Sequence, residues 1–111
     1  MPRRKVILKG IPASTGVVKG KVRIILDPSD NSKMKKGDIL VTEMTNPLFV
    51  PAIQKAKAII TNIGGILSHA AIVSRELGIP CVVGTKKATK ILKNNQQIKV
   101  DGEEGTIYQG D

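Results

Sequence analysis

Short aliphatic runs closed by turn-forming residues constrain this chain more than any other feature. Ile39-Leu40-Val41-Thr42 is a β-branched run suited to a buried strand. Ala58-Ile59-Ile60-Thr61 is a second such run, and Pro80 opens a third, Cys81-Val82-Val83. Between the first two, Leu48–Ala56 places Phe49, Ile53 and Ala56 at helical spacing after Asn46-Pro47. Between the second and third, Asn62-Ile63-Gly64-Gly65-Ile66-Leu67 reads as a loop. Ser68 is then the N-cap of a helix over about His69–Leu77, with Ala70, Val73 and Leu77 inward. Gly78 ends that helix as a left-handed C-cap.

The chain ends read differently. Lys5–Leu8 is a strand candidate, Gly10–Gly16 a loop, and Val17–Leu26 a strand in which Gly20 marks a bulge or close backbone approach. Asp27-Pro28-Ser29-Asp30-Asn31-Ser32 terminates it, and Gly37-Asp38 is a turn. A further helix near Lys86–Lys93 leads to a hairpin of Gln97–Val100 and Thr106–Tyr108 around Asp101–Gly105. Strands alternating with helices in the middle and hairpins at both ends predict a mixed α/β domain with a helix-covered sheet. At 111 residues this is a single domain, with its core over about residues 8–108. Only Phe49 and Tyr108 are aromatic, so the core must be aliphatic.

No apolar run approaches the roughly 20 residues that cross a bilayer. The basic opening, Met1-Pro2-Arg3-Arg4-Lys5, is not followed by the apolar segment of a secretory signal. A cytoplasmic location and no membrane partner are the expectations. The single cysteine, Cys81, reads as a buried strand thiol in a reducing compartment.

The formal charge of +9 raises nucleic acid as a partner, and its distribution argues against it. Residues 1–36 hold ten Lys/Arg and two acids, residues 37–84 three of each, and residues 85–111 five and four. Lys19, Lys21 and Arg23 alternate with Val18, Val22 and Ile24, as on the solvent face of a strand. No aromatic pair could stack bases, and no zinc-ligand pattern is present.

The one histidine, His69, stands where a glycine-rich loop runs into a helix start. Unpartnered N–H groups at such a junction favour anions, and the helix N-terminus carries about half a positive charge. Gly64 and Gly65 let the backbone approach a bulky anion. Ser68 can cap the helix or turn its hydroxyl toward a phosphoryl oxygen. Ala70 and Ala71 leave the ring accessible. Together these residues point to a histidine nucleophile beside a phosphate site, Gly64, Gly65 and Ser68 being the phosphate-binding candidates.

The segment Gly64-Gly65-Ile66-Leu67-Ser68-His69-Ala70-Ala71-Ile72-Val73-Ser74-Arg75-Glu76-Leu77-Gly78-Ile79-Pro80-Cys81-Val82-Val83-Gly84-Thr85 resembles the mobile, or swivelling, phosphohistidine domain of phosphoenolpyruvate-utilising enzymes. That family includes phosphoenolpyruvate synthase, pyruvate phosphate dikinase and enzyme I of the sugar phosphotransferase system. Gly10-Ile11-Pro12-Ala13-Ser14 with Gly16, Gly37–Thr42 with Thr45-Asn46-Pro47, and Val100-Asp101-Gly102 with Gly105 carry the resemblance further.

It implies a three-layer β/β/α swivelling fold and a phosphoryl carrier in which His69 is transiently phosphorylated. The group would shuttle between a nucleotide site and a phosphoenolpyruvate or pyruvate site on partner domains or separate proteins. No cofactor is then held by this chain, since Mg and nucleotide belong to the partners. Many members have Thr two residues before the histidine; here that position is Leu67, which removes hydroxyl-based regulation. The resemblance also implies that the chain is an incomplete phosphotransferase, a carrier docking with separately encoded partners or a fragment of a longer protein.

Arg75 and Glu76 are structural or docking candidates. Arg75 lies six residues after His69, about 120° from its helix face, and reads as an ion pair anchoring the helix. Metal binding is not expected, because no second His or spaced Cys pair accompanies His69. The alternative function is a scaffold or regulatory module that uses its basic N-terminal face to hold an acidic partner or RNA. It predicts salt-dependent association indifferent to His69.

Overall fold

The computed structural model describes residues 5–110; the basic opening at residues 1–4 lies outside them. Among the described residues there are eight strands: β1 (Val6–Lys9), β2 (Ile11–Ser14), β3 (Val17–Ile24), β4 (Ile39–Thr42), β5 (Ala58–Thr61), β6 (Cys81–Val83), β7 (Gln97–Asp101) and β8 (Thr106–Gln109). The helices are α1 (Val50–Ile53), α2 (His69–Leu77) and α3 (Ala88–Ile91). Two 3-10 turns, Pro28–Lys33 and Pro47–Phe49, complete the order.

The strand order is β1-β8-β7-β3-β4-β5-β6-β2. β3 belongs to two sheets. Its first half, Val17–Lys21, pairs antiparallel with β7, and its second half, Val22–Ile24, pairs parallel with β4. β4, β5 and β6 continue in parallel, and β2 closes that sheet antiparallel to β6.

Alternation along the central strands separates two cores, which is what a strand buried on both faces must do. Ile39 and Val41, Ala58 and Ile60, and Val82 face one way, against Ile98, Val100 and Ile107 of the other sheet. Leu40, Ile59, Cys81 and Val83 face the other way, against Ala70 and Ala71 of α2 and Ala52 and Ile53 of α1. The result is a three-layer β/β/α domain with a wholly aliphatic inner core; Phe49 enters only the helix-side one. Each fully buried Ile, Leu or Val contributes about 1.5–3 kcal/mol of apolar burial.

Several expectations are corrected. The Gly10–Gly16 loop contains a strand, β2. Pro12 masked it, but a residue without an N–H is tolerated on a sheet edge, where β2 lies. No N-terminal hairpin forms either: β1 pairs with β8, and β2 crosses to the opposite sheet. Gly20 is not a bulge, since the β3–β7 register runs through it. It is a close approach, where a Cβ would meet the Gly37 carbonyl at 3.1 Å. The helices expected over Leu48–Ala56 and Lys86–Lys93 shrink to single turns. Pro47 opens a 3-10 turn in the first case, and Lys86 takes φ +73° ahead of α3 in the second. α2 holds the predicted bounds, but Leu77 points to solvent and Ser74 takes the inward place beside Ala70 and Ala71. Among the described residues, no helix is long and apolar enough to cross a membrane.

Candidate functional site

His69 sits at the C-terminal edge of the parallel strands, on the first residue of α2. The loop that delivers it, residues 62–68, follows β5, and a neighbouring loop, residues 43–46, follows β4. The Ile63 N–H donates to the Glu43 carbonyl at 3.0 Å, so the two loops lie side by side. Buried Asn62 ties them further. Its side-chain amide N–H₂ donates to Glu43 Oε2 at 3.0 Å and to Thr89 Oγ1 at 2.7 Å, and its Oδ1 accepts the Thr89 N–H at 3.1 Å.

The glycine pair has two different roles. Gly64 takes φ +130°, and a Cβ there would stand 3.0 Å from Ser68 Oγ. A side chain would therefore be both strained and crowded. A Cβ at Gly65 would meet nothing, so Gly65 opens space rather than filling it. The Ser68 N–H closes the turn on the Gly65 carbonyl at 3.0 Å. Ser68 is the N-cap, its Oγ accepting the Ala71 N–H at 3.5 Å, and its carbonyl receives the first helical bond from Ile72. No acidic residue occupies the first turn of α2, so nothing there cancels its positive end.

The His69 ring is half-buried, and its inner edge is engaged. Thr45 Oγ1 lies 2.8 Å from His69 Nδ1, and Thr45 itself is buried. That bond orients the imidazole and engages Nδ1 rather than Nε2. On these two loops Leu67 is 81% exposed, and Met44, Ile63 and Ile66 are also exposed, beside the exposed Glu43 and Asn46; Leu48, in the turn that follows, is exposed too.

Among the described residues Arg75 makes no ion pair, contrary to expectation. Its guanidinium donates to two backbone carbonyls, Ala13 at 2.9 Å and Ile66 at 2.7 Å. It staples the loop before His69 to β2, a positioning task that helical geometry could not have revealed. Glu76 is exposed beside Val50 and Leu77, on the side of α2 toward α1, and takes no part in the histidine cluster. Cys81 is fully buried, its S–H directed to the Ala70 carbonyl at 3.8 Å, and burial raises its pKa to about 11. It is a packing residue.

Gly64, Gly65, Ser68 and His69 are thus brought together, with Arg75 behind them. Thr45 and Asn62 were missed as functional residues. Thr45 lies in the Thr45-Asn46-Pro47 motif, and a hydroxyl in a motif that also resembles the family was the available signal. Among the described residues, no three His, Cys, Asp or Glu side chains group as a metal site would need.

Residues 34–105 match the family described as PEP-utilising enzyme, mobile domain. The phosphoenolpyruvate synthase of Pyrococcus furiosus is 60% identical over 106 residues, 96% of this chain and 13% of that protein. A probable phosphoenolpyruvate synthase of Archaeoglobus fulgidus is 56% identical over 96% of this chain and 14% of its own length. Among solved structures, an NMR structure of Enzyme I superposes with a TM-score of 0.63 at 28% identity, covering 74% of this chain and 34% of that one. The chain therefore spans a small part of the curated relatives it matches.

Proposed function

Because the chain belongs to the mobile-domain family of PEP-utilising enzymes, we propose that His69 is its transiently phosphorylated residue and carries a phosphoryl group between two remote active sites. One site, holding nucleotide and Mg, and another, holding phosphoenolpyruvate or pyruvate, belong to partner domains. This chain binds neither cofactor.

The bond between Thr45 and His69 Nδ1 at 2.8 Å carries this reading. For Nε2 to keep its lone pair, the ring proton sits on Nδ1 and is donated to Thr45 Oγ1. Nε2 then attacks the phosphorus in line. The N–P bond forms as the P–O bond to the leaving group breaks, and the electron pair departs with that oxygen. The ring gains positive charge, and its Nδ1–H bond to Thr45 strengthens as it does so. Gly65 leaves room for the phosphoryl oxygens, Ser68 lies beside them, and the N-terminus of α2 supplies positive potential. In the second half-reaction the same steps reverse toward the acceptor.

The exposed apolar side chains around the ring, Leu67 foremost, suit a face that repeatedly docks and undocks. Burying them at each partner site would exclude water from a labile N–P bond.

The test supplies ATP with the nucleotide-binding part of a phosphoenolpyruvate synthase, or phosphoenolpyruvate with its substrate-binding part. Mass spectrometry of the intact chain should find a single acid-labile, base-stable phosphate, absent from His69→Ala. Equal labelling of that variant overturns the reading.

A further inference from the structure

At the opposite edge of the parallel sheet lies a groove that phosphoryl transfer does not use. It has a volume of about 510 Å³ and is lined by Lys19, Lys21 and Arg23 of β3, Lys35 and Lys36 of the loop entering β4, and Lys57 just before β5. The register places it firmly. β4 and β5 run in parallel with Ile39 opposite Ala58 and Thr42 opposite Thr61. Lys35, Lys36 and Lys57 precede the first pair, Lys19 and Lys21 precede the Val22–Ile39 pairing of β3 with β4, Arg23 lies opposite Leu40, and the His69 loops follow the last pair. About 13 Å of strand separates the two.

Within this lining the lone acid, Asp38, is already committed. It is buried, and its Oδ2 accepts Arg23 Nε at 3.1 Å and the Lys35 N–H at 3.0 Å. Lys57 Nζ is held by the Lys19 carbonyl at 2.8 Å, which keeps its charge at the rim. Lys19 and Lys21, two apart on one strand, project from the same face about 7 Å apart. Gathering like charges this closely opposes folding and gives the core nothing.

We infer that this groove is a docking surface for a carboxylate-rich protein surface, separate from and simultaneous with engagement of His69. Charge complementarity selects an anion, and lysines spread over three segments suit carboxylates distributed over a protein surface rather than one compact anion. The one guanidinium donates to Asp38 and to Asn95 Oδ1 at 3.1 Å, so lysine point charges remain. No aromatic ring lines the groove: Phe49 is buried, and Tyr108 lies under the Lys99 ammonium, 5.5 Å from its ring centre. Bases would therefore have no stacking platform. In the two synthases compared above the matching segment is 13–14% of the length, so in them it belongs to a far larger protein. Because the groove and His69 occupy opposite edges, a partner held by the lysines leaves the histidine free to reach its sites. The attraction would also raise encounter rates about 10- to 1,000-fold at low salt.

The probe is a fluorescent oligoglutamate peptide, titrated by anisotropy at low and at physiological salt, with amide NMR shifts to locate it. Binding should be salt-dependent, with shifts on residues 19–23, 35–38 and 57. The double reversal Lys21→Glu, Lys36→Glu should weaken it at least about tenfold, or about 1.4 kcal/mol. The milder Lys21→Gln, Lys36→Gln pair should weaken it less without lowering the thermal melt, since it relieves like-charge repulsion. His69→Ala should bind like wild type, which separates this inference from the phosphoryl reading. Three outcomes overturn it: shifts that map elsewhere, equal weakening by Lys9→Glu with Lys90→Glu, or tighter binding of tripolyphosphate or of single-stranded RNA of equal charge.

Discussion

The two edges of the parallel sheet are built on opposite principles. At the C-terminal edge the polar atoms are few and paired: Thr45 with His69, Asn62 with Glu43 and Thr89, Arg75 with two carbonyls. The exposed side chains of the two loops are mostly apolar, Met44, Ile63, Ile66 and Leu67 beside Glu43 and Asn46. At the N-terminal edge the charges are many and of one sign, and most are unconstrained lysines. Phosphoryl transfer depends on placing one nitrogen to within a fraction of an ångström, so it requires fixed bonds. Long-range attraction needs only summed charge, and flexible side chains suffice. On the two readings proposed above, one edge serves chemistry and the other recruitment.

That contrast breaks if Thr45 proves dispensable. Thr45→Val removes the acceptor for the Nδ1 proton, a bond to a group that becomes charged. Such a bond is worth about 1.5–3 kcal/mol, so phosphorylation of His69 should slow about 10- to 100-fold. Thr45→Ser should restore most of the rate. The readout is labelling by phosphoramidate, a small donor that needs no partner. The lysine reversals at the far edge should leave that rate unchanged.

Arg75→Ala should cost about 1–2 kcal/mol of stability in chemical denaturation, from two carbonyls losing their donor. It should also lower His69 labelling, because Ile66 precedes the helix start it steadies. A stability loss with wild-type labelling would show that the staple serves only the fold.

Leu67→Asp sharpens the division within the active edge itself. At an exposed position it should change stability by no more than about 0.5 kcal/mol. Transfer from a protein donor should fall about tenfold, some 1.4 kcal/mol of lost docking, while phosphoramidate labelling stays unchanged.

The smallest effect lies beneath the helix. The Cys81 thiol ionises near 9.0 when unfolded and at about 11 in the fold, because burial penalises the thiolate. Above pH 9 the unfolded chain releases a proton that the folded chain keeps. Stability is therefore full below pH 9 and declines as pH rises toward 11, by about 1 kcal/mol at pH 10. Cys81→Ala should remove that decline while lowering stability at neutral pH, both read from denaturation midpoints across the pH range.

The histidine site was legible because its information is local. A glycine loop, an N-cap serine, a nine-residue helix and a left-handed Gly78 lie within one continuous stretch, and each follows from short-range backbone physics. β2 was illegible for the converse reason. Ile11–Ser14 is a strand only because β6 offers it an edge, and Pro12 looks like a loop residue until that edge is known. Arg75 illustrates the same limit: its carbonyl partners are Ala13, 62 residues earlier, and Ile66, around the helix end.

By itself, then, the sequence determined the strand-helix alternation, the aliphatic core and the presentation of His69 at a helix start, since each rests on neighbours within a few residues. Tertiary structure alone decided that Thr45 holds the ring. It also decided that β3 bends from one sheet into the other and that lysines from three segments meet in one groove. Those outcomes depend on which strands lie side by side, and pairing partners far apart in the chain are chosen by the packing of the whole domain rather than by any local preference.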